Sequence, residues 1–383
     1  MTVAYIVSSE LISASSQLPS NLNRSKLVHS LVSSFGLLKK VRPVRPTPAS
    51  REALAEYHSG DYLDVLLRTP PEPSALHGLD HDNPVFPALS VYATLVAGAA
   101  LTAVKTLGVV DIAIAWDGGR HHAQKSTASG YCYVADCILA ILAIRRVKEL
   151  DAPRSRVMYI DLDLHFSDAV SQAFYRQSSV MTLSIHHTAP GFYPPSPLAT
   201  LQHPDQPGFD PFALSIPLQR GASANTYARI WPLVQKAIQI FSPSHMVIQC
   251  GVDALAGDPH AVMNWSLPAR QDGSLGYYIQ HLLHDFPGKK VLLGGGGYNS
   301  PNAARAWAYL TSIAVEEPLA DDVDIPLDHL FFPLYAPSFT LDIPKGNMQD
   351  QNTPEYLTSL LQTFEDVIFP ALQASLPLST KIS

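Results

Sequence analysis

The sequence predicts a single α/β domain: a mostly parallel β-sheet with helices on both faces and long loops beyond the carboxyl ends of its strands. Three observations predict it. Short apolar, β-branched runs alternate with helix-like segments, the order that builds a parallel sheet from strands and crossovers. Chemically unusual polar residues follow four of those runs, where open parallel sheets gather their sites. No repeat or flexible linker divides the 383 residues, which are 46% hydrophobic and 15% charged, enough to bury a large core without disulfides.

Taken in chain order, strands are expected at residues 3–7, 110–115, 157–162, 180–185, 245–249 and 290–293. Helices are expected at 24–35, 50–56, 90–106, 136–148, 223–239 and 302–314. The run 85–104 carries no charge over about the length of a membrane span. Its prolines and its many Ala, Gly, Ser and Thr make it weakly apolar, and it reads as a buried helix. Connections 69–87 and 188–211 are long and proline-rich, the second containing Phe192-Tyr193-Pro194-Pro195. Loops of that length in a compact domain commonly wall or cover a site. Beyond Pro318 the chain reads as loop followed by one amphipathic helix at 355–372. A catalytic domain is expected over residues 1–375, with 376–383 as a tail.

Composition narrows the function. The net charge of −7 is spread along the chain. No basic face is clustered for direct nucleic-acid binding, whereas a basic substrate is electrostatically compatible. The three cysteines, Cys132, Cys137 and Cys250, form no Cys-x-x-Cys pair, which fits a reducing, intracellular compartment. The opening MTVAYIVSSELISASS has neither the basic region nor the apolar run of a secretory signal.

The chemistry is concentrated at four strand ends. The strand at 157–162 runs into Asp161-Leu162-Asp163-Leu164-His165, and alternation places Asp161, Asp163 and His165 on one face. Buried carboxylates are costly unless paired or bound to a metal. The strand at 245–249 runs into Cys250-Gly251-Val252-Asp253. Asp163, His165 and Asp253 make two carboxylates and an imidazole, a set that suits a catalytic divalent ion, zinc or iron(II), with open positions. The strand at 110–115 precedes Trp116-Asp117-Gly118-Gly119-Arg120-His121-His122. Its two histidines can serve as acid, base or ligand. The strand at 290–293 leads into Gly294-Gly295-Gly296-Gly297-Tyr298-Asn299. The glycines admit close backbone approach, and the Tyr298 hydroxyl can donate to an oxyanion. No phosphate-loop pattern is present.

These motifs, with Ala128-Ser129-Gly130-Tyr131-Cys132-Tyr133 and Gly251-Val252-Asp253-Ala254-Leu255-Ala256-Gly257-Asp258-Pro259, resemble the class I zinc-dependent histone deacetylases of the arginase–deacetylase fold. The resemblance spans nearly the whole chain and implies removal of the acetyl group from acetyl-lysine. By it, Asp163, His165 and Asp253 would bind the metal. His122 would act as general base and then acid, His121 as its electrostatic neighbour, and Asp161 and Asp168 would orient the two imidazoles. Tyr298 would bond the substrate carbonyl. Gly130, Tyr131, Phe192, Tyr193 and His260 would line a narrow tunnel, Asp82 would grip the substrate backbone at the rim, and Arg24 would sit in an inner acetate channel. Asp161, Asp163, His165, Ser184 and Ile185 match a structural potassium site. The resemblance implies an acetylated histone or cohesin-type substrate, co-repressor partners, and the nucleus with the cytoplasm as a second compartment. It implies neither direct nucleic-acid nor membrane binding.

Three positions depart from the family pattern. The family's His-His-Gly-Asp-Gly reads His165-Phe166-Ser167-Asp168-Ala169 here. Arg120 replaces Leu or Trp at what is expected to be the tunnel rim, and His260 replaces a Leu or Met of the pocket wall. An arginase-type hydrolase would need a second metal and an Asp-x-Asp pair after Asp253, which is missing. A small-molecule deacetylase acting on acetylpolyamines, or a non-catalytic scaffold in a repressor complex, are the remaining alternatives.

Overall fold

In the computed structural model, which describes residues 1–146 and 156–376, eight strands form one sheet. They are β1 (Val3–Ile6), β2 (Arg42–Val44), β3 (Ile112–Ala115), β4 (Val157–Asp161), β5 (Val180–His187), β6 (Ala213–Leu218), β7 (His245–Gln249) and β8 (Lys289–Leu293). Their order is β2-β1-β3-β8-β7-β4-β5-β6, and every adjacent pair is parallel. The sheet is therefore wholly rather than mostly parallel.

Both faces of the sheet are buried, and the sequence shows why. On β1, Val3 and Tyr5 enter one core while Ala4 and Ile6 enter the other. On β4, Met158 and Ile160 face the first core, and Val157 and Tyr159 face the second. Strands buried on both sides must be apolar throughout, as parallel strands beneath two helix layers are. Helices Arg24–Ser34 and Ser300–Ala314 pack together over the first face. Leu89–Thr106 and Asp136–Arg146 pack together over the second. Leu89–Thr106 is long and apolar enough to cross a membrane, yet 61% of it is buried inside the fold. It is a core helix here, as its small residues foretold.

The expected strands and helices form, with ends shifted by a few residues. The expected end of the helix at 136–148 lies outside the described residues, as does most of the tail at 376–383. Two strands were missed, β2 and β6. They are the outer strands of the sheet and contain Pro43 and Pro217, residues tolerated only where a ladder hydrogen bond is dispensable. The C-terminal helix forms but changes register midway. Pro354–Thr363 passes through a π-helical turn, Phe364–Ile368, before Phe369–Ser375. Pro370 supplies no backbone N–H to the preceding turn, which gives the chain a reason to change register there. The two long connections contain no regular strand or α-helix, only the 3-10 turns Ala75–His77 and Pro197–Ala199 and an isolated bridge between Ser74 and Leu79.

A candidate metal centre at the strand ends

Beyond the carboxyl end of β4, carboxylates fold the chain back on itself. Asp161 accepts from the Asp163 N–H at 3.0 Å, and Asp163 in turn accepts from the His165 N–H at 3.1 Å. The loop after β7 meets this turn, and Asp253 accepts from the Leu164 N–H at 2.9 Å. These bonds bring Asp163, His165 and Asp253 together, one ligand atom from each lying within 4.8 Å of the others. His165 Nδ1 is 3.3 Å from Asp163 Oδ1 and 3.0 Å from Asp253 Oδ2.

The donor set fits a divalent ion. Both carboxylates are fully buried, a placement that demands a positive partner. Backbone crowds them closely: a Cβ on Gly251 would strike the Asp163 carboxylate, and one on Gly296 the Asp253 carboxylate. Burial opposes charge on Asp163, but His121 and His165 hold its carboxyl well below the usual range. Asp253, desolvated and beside Asp163, is pushed up to about 7. Burial opposes charge on His165 too, yet the two carboxylates raise it to about 10. The cluster thus retains a proton where a dication would satisfy it better.

The histidine pair lies beside this cluster, the two rings 4.0 Å apart between centroids. His121 donates Nδ1–H to Asp161 at 2.8 Å, and His122 donates Nδ1–H to Asp168 at 2.7 Å. The two carboxylates match in position but the two imidazoles differ in charge. Burial opposes charge on both. Asp161 and Asp163 overcome it at His121, raising it to about 9. At His122 burial is reinforced by the neighbouring His121, and it falls to about 4. The surroundings thus favour the neutral form of His122 and the cationic form of His121.

Aromatic rings continue the wall outward. Phe192 stacks on His165 at 5.3 Å between centroids, and Tyr193 sets its edge against His122 at 4.9 Å. Tyr131 lies 5.6 Å from Tyr298, and His260 4.4 Å from it. Gly130, at φ +52°, passes so close that a Cβ would collide with the His122 ring and the Tyr193 hydroxyl. Asp82 and His260 are exposed, and Tyr193 is 36% exposed, so the lining grades from wet rim to dry floor. Asp82 is near enough to raise the Tyr193 phenol, itself raised mainly by burial.

Arg120 corrects one expectation. It is not at the rim but buried, 4% exposed. The reason is local: Asp136 accepts both the Gly119 and Arg120 N–H groups, and Gly119 takes φ +90°, which turns the guanidinium inward to the Asp117 carbonyl at 3.1 Å. Arg24 lies in the same interior, donating to the Gly297 carbonyl at 2.8 Å. Ser184 pairs in register with Asp161 across β4 and β5. His186 donates Nε2–H to the Ala199 carbonyl, so its Nδ1 accepts from the Ser184 hydroxyl at 2.9 Å and leaves that oxygen's lone pairs free. Phe166, where the family has histidine, is buried against His186.

Three supporting residues were given no role by the sequence reading. Gln249 ends β7 and donates to Asp163 at 2.8 Å. Asp136 anchors the turn before the histidine pair. Asp258 accepts from the backbone of Tyr298, Asn299 and His260. Each is a polar residue inside or next to an apolar run, a signal that could have found it.

Comparison with known proteins agrees with this geometry. The histone deacetylase domain matches residues 18–314. The chain is 36% identical over 373 residues to a histone deacetylase 8 of Danio rerio, covering 95% of this chain and 94% of that one. It is equally identical over 371 residues to a histone deacetylase 8 of Xenopus tropicalis, covering 94% of this chain and 96% of the relative. A hydrolytic site assembled from a buried Asp-His-Asp cluster and two carboxylate-held imidazoles is thus set in a chain that belongs to the histone deacetylase family.

Proposed function

We propose that this lysine deacetylase hydrolyses the acetamide of acetyl-lysine on a protein, with Asp163, His165 and Asp253 holding a divalent ion, zinc or iron(II). The observation that carries this reading is the buried Asp-His-Asp cluster with the carboxylate-held histidine pair beside it. When bound, the ion would polarise the amide carbonyl and acidify a water molecule. His122, neutral and held by Asp168, is ready to take that water's proton at Nε2 and to give it to the departing lysine amine. His121, cationic beside it, resists a second proton on His122 and favours negative charge on the substrate. Asp161 fixes the His121 ring as Asp168 fixes that of His122. Tyr298, positioned by Asp258, would donate its O–H to the oxyanion.

Around that centre, Gly130, Tyr131, Phe192, Tyr193 and His260 would sheathe the lysine stem, and Asp82 would take backbone N–H groups of the peptide. Arg24 would face the acetyl end. Asp161, Asp163, His165, Ser184 and Ile185 would hold a structural potassium ion, for which the free Ser184 lone pairs are suited. We assign the catalytic domain to residues 1–375. The substrates would be acetylated nuclear proteins, histones or a cohesin-type subunit, with co-repressors as partners and the nucleus as principal compartment.

The test is turnover of an acetyl-lysine peptide by the purified chain, before and after chelation and metal return, beside His122→Ala. Activity that survives chelation, or that survives loss of His122, would sink the proposal.

A further inference from the structure

Two hydroxyls bridge the mouth of the pocket. The Tyr193 phenol and the Ser129 side chain lie 2.7 Å apart, the ordinary separation of an O–H···O hydrogen bond, although 64 positions divide them in sequence. Among the described residues neither oxygen has another hydrogen-bond partner.

The two ends of this bond are supported very differently. Ser129 is fixed. It exchanges both backbone hydrogen bonds with Cys132, at 3.0 and 2.8 Å, and the residues between them, Gly130 and Tyr131, take φ +52° and +62°. Positive φ at both central positions marks the tight type I′ turn. Cys132 anchors that turn in the core, and the Ala128 N–H ties it to the His77 carbonyl at 2.9 Å. Tyr193 belongs instead to the long proline-rich loop. The backbone bonds on either side of it stay within that loop, from Phe192 to Ala189 at 3.0 Å and from Ser196 to Pro194 at 2.9 Å. Phe192 is wedged inward against His165 and His187, at 5.3 and 4.6 Å between centroids. Tyr193 is not, being 36% exposed. Just beyond it Pro195, Pro197 and Leu198 line a cavity of about 490 Å³, together with Gln172 and Tyr175. A wall with a void beside it lacks the contacts that would hold it, so a tether decides its position.

The tether acts where space is shortest. The Tyr193 ring sets its edge on His122 at 4.9 Å and lies 6.2 Å from His165. A carbon added to Gly130 would fall 2.5 Å from the His122 ring and 2.6 Å from the Tyr193 oxygen. Turn, phenol and imidazole therefore close together with no room for one further carbon between them.

We propose that the Ser129–Tyr193 hydroxyl pair is a clasp that fixes the width of the tunnel and so selects an unbranched aliphatic stem on the acylated residue. The inference rests on the deacetylase reading for what enters the tunnel. Tyr193 and Ser129 are specificity-determining residues in it, acting through one shared bond.

The zinc-loaded chain is titrated with two fluorescent peptides, one carrying acetyl-lysine and the other the same residue with a methyl branch at Cγ. Binding is read by anisotropy. Wild type should favour the unbranched peptide by about tenfold or more, since one methyl group is worth about 10- to 200-fold in a fitted pocket. Tyr193→Phe keeps the ring and Ser129→Ala keeps the turn, yet each should cut that preference by about fivefold or more. The double variant should lose no more than either single one, because all three lack the same bond. Ser129→Thr, which retains a hydroxyl, should keep the wild-type preference. A wild type that binds both peptides alike, a preference unchanged in either single variant, or losses that multiply in the double variant would overturn the clasp. Turnover of the unbranched peptide in the same preparations keeps the two readings apart. Binding without turnover fails the deacetylase reading alone, and a chain that binds neither peptide fails both.

Discussion

The Asp258 carboxylate holds the Tyr298 backbone in place. One of its oxygens accepts from the Tyr298 N–H at 2.6 Å and from the Asn299 N–H at 3.1 Å, and the other accepts from the His260 N–H at 2.9 Å. A single side chain thus ties the glycine-rich loop after β8 to the loop after β7. It also joins the proposed oxyanion donor to the loop that supplies Asp253. Burial raises the Asp258 carboxyl, and the three N–H groups oppose that rise.

Replacing that carboxylate orphans three backbone donors, each costing about 1–3 kcal/mol if left dry. Asp258→Ala should therefore lower kcat by about 10- to 100-fold through a displaced Tyr298, as small misplacements at a reacting centre do. Asp258→Asn, which keeps one acceptor oxygen, should recover part of that loss. Steady-state kinetics on an acetyl-lysine peptide, with melting temperatures for both variants, check this. Equal kcat in all three proteins would remove Asp258 from the positioning of Tyr298.

Tyr298→Phe removes one hydroxyl and leaves the ring among Tyr131 and His260. Loss of one oxyanion donor typically costs about 3 kcal/mol in the transition state, or about 10²-fold in kcat. The expected outcome is that fall in kcat with KM and melting temperature little changed. Near-native turnover would mean that the oxyanion is held by other groups.

The two histidines should separate by pH. His122 sits at about 4, first through burial and next through the charge on His121. A general base works when deprotonated, so activity persists as pH falls until His122 takes its proton. Removing the neighbouring charge in His121→Asn raises the His122 pKa, and the acid limb of kcat/KM must then move to higher pH. Asp168→Asn acts differently. It removes the negative charge and puts an NH2 donor in place of one carboxylate oxygen, and should depress kcat by about 10² or more by favouring the wrong His122 tautomer. A pH profile unmoved in His121→Asn would refute the electrostatic coupling of the pair.

How much of this was legible beforehand depends on what kind of pattern carried it. Apolar runs announced the central strands, because burial on both faces leaves little room for polar residues. Proline hid β2 and β6, since edge strands tolerate what central ones do not. The ligand cluster was legible because Asp163, His165 and Asp253 stand immediately past strand ends. Alternation nevertheless misled in detail: β4 stops at Asp161, and the residues after it turn through Asp-to-N–H bonds rather than continuing the pleat. Arg120 was misplaced for a related reason. A side chain in a turn points where the anchoring bonds send it, here those of Asp136, and no spacing rule contains that information.

Metal uptake should release protons. In the ion's absence burial opposes charge on His165, yet Asp163 and Asp253 raise it to about 10, and burial raises Asp253 to about 7. At neutral pH the imidazole therefore keeps its proton and must lose it to become a ligand. The sign follows: affinity for a divalent ion rises with pH and falls on acidification, because protons compete for the same atoms. Calorimetric titration of the metal-free chain with zinc, in two buffers of different ionisation enthalpy, should give between about one and two protons released per ion near neutrality, one from His165 and a fraction from Asp253. Asp253→Ala should abolish both the binding heat and the activity, whereas Tyr298→Phe should leave the binding heat intact. Uptake without proton release, or stronger binding at lower pH, would place the ion somewhere other than between these three side chains.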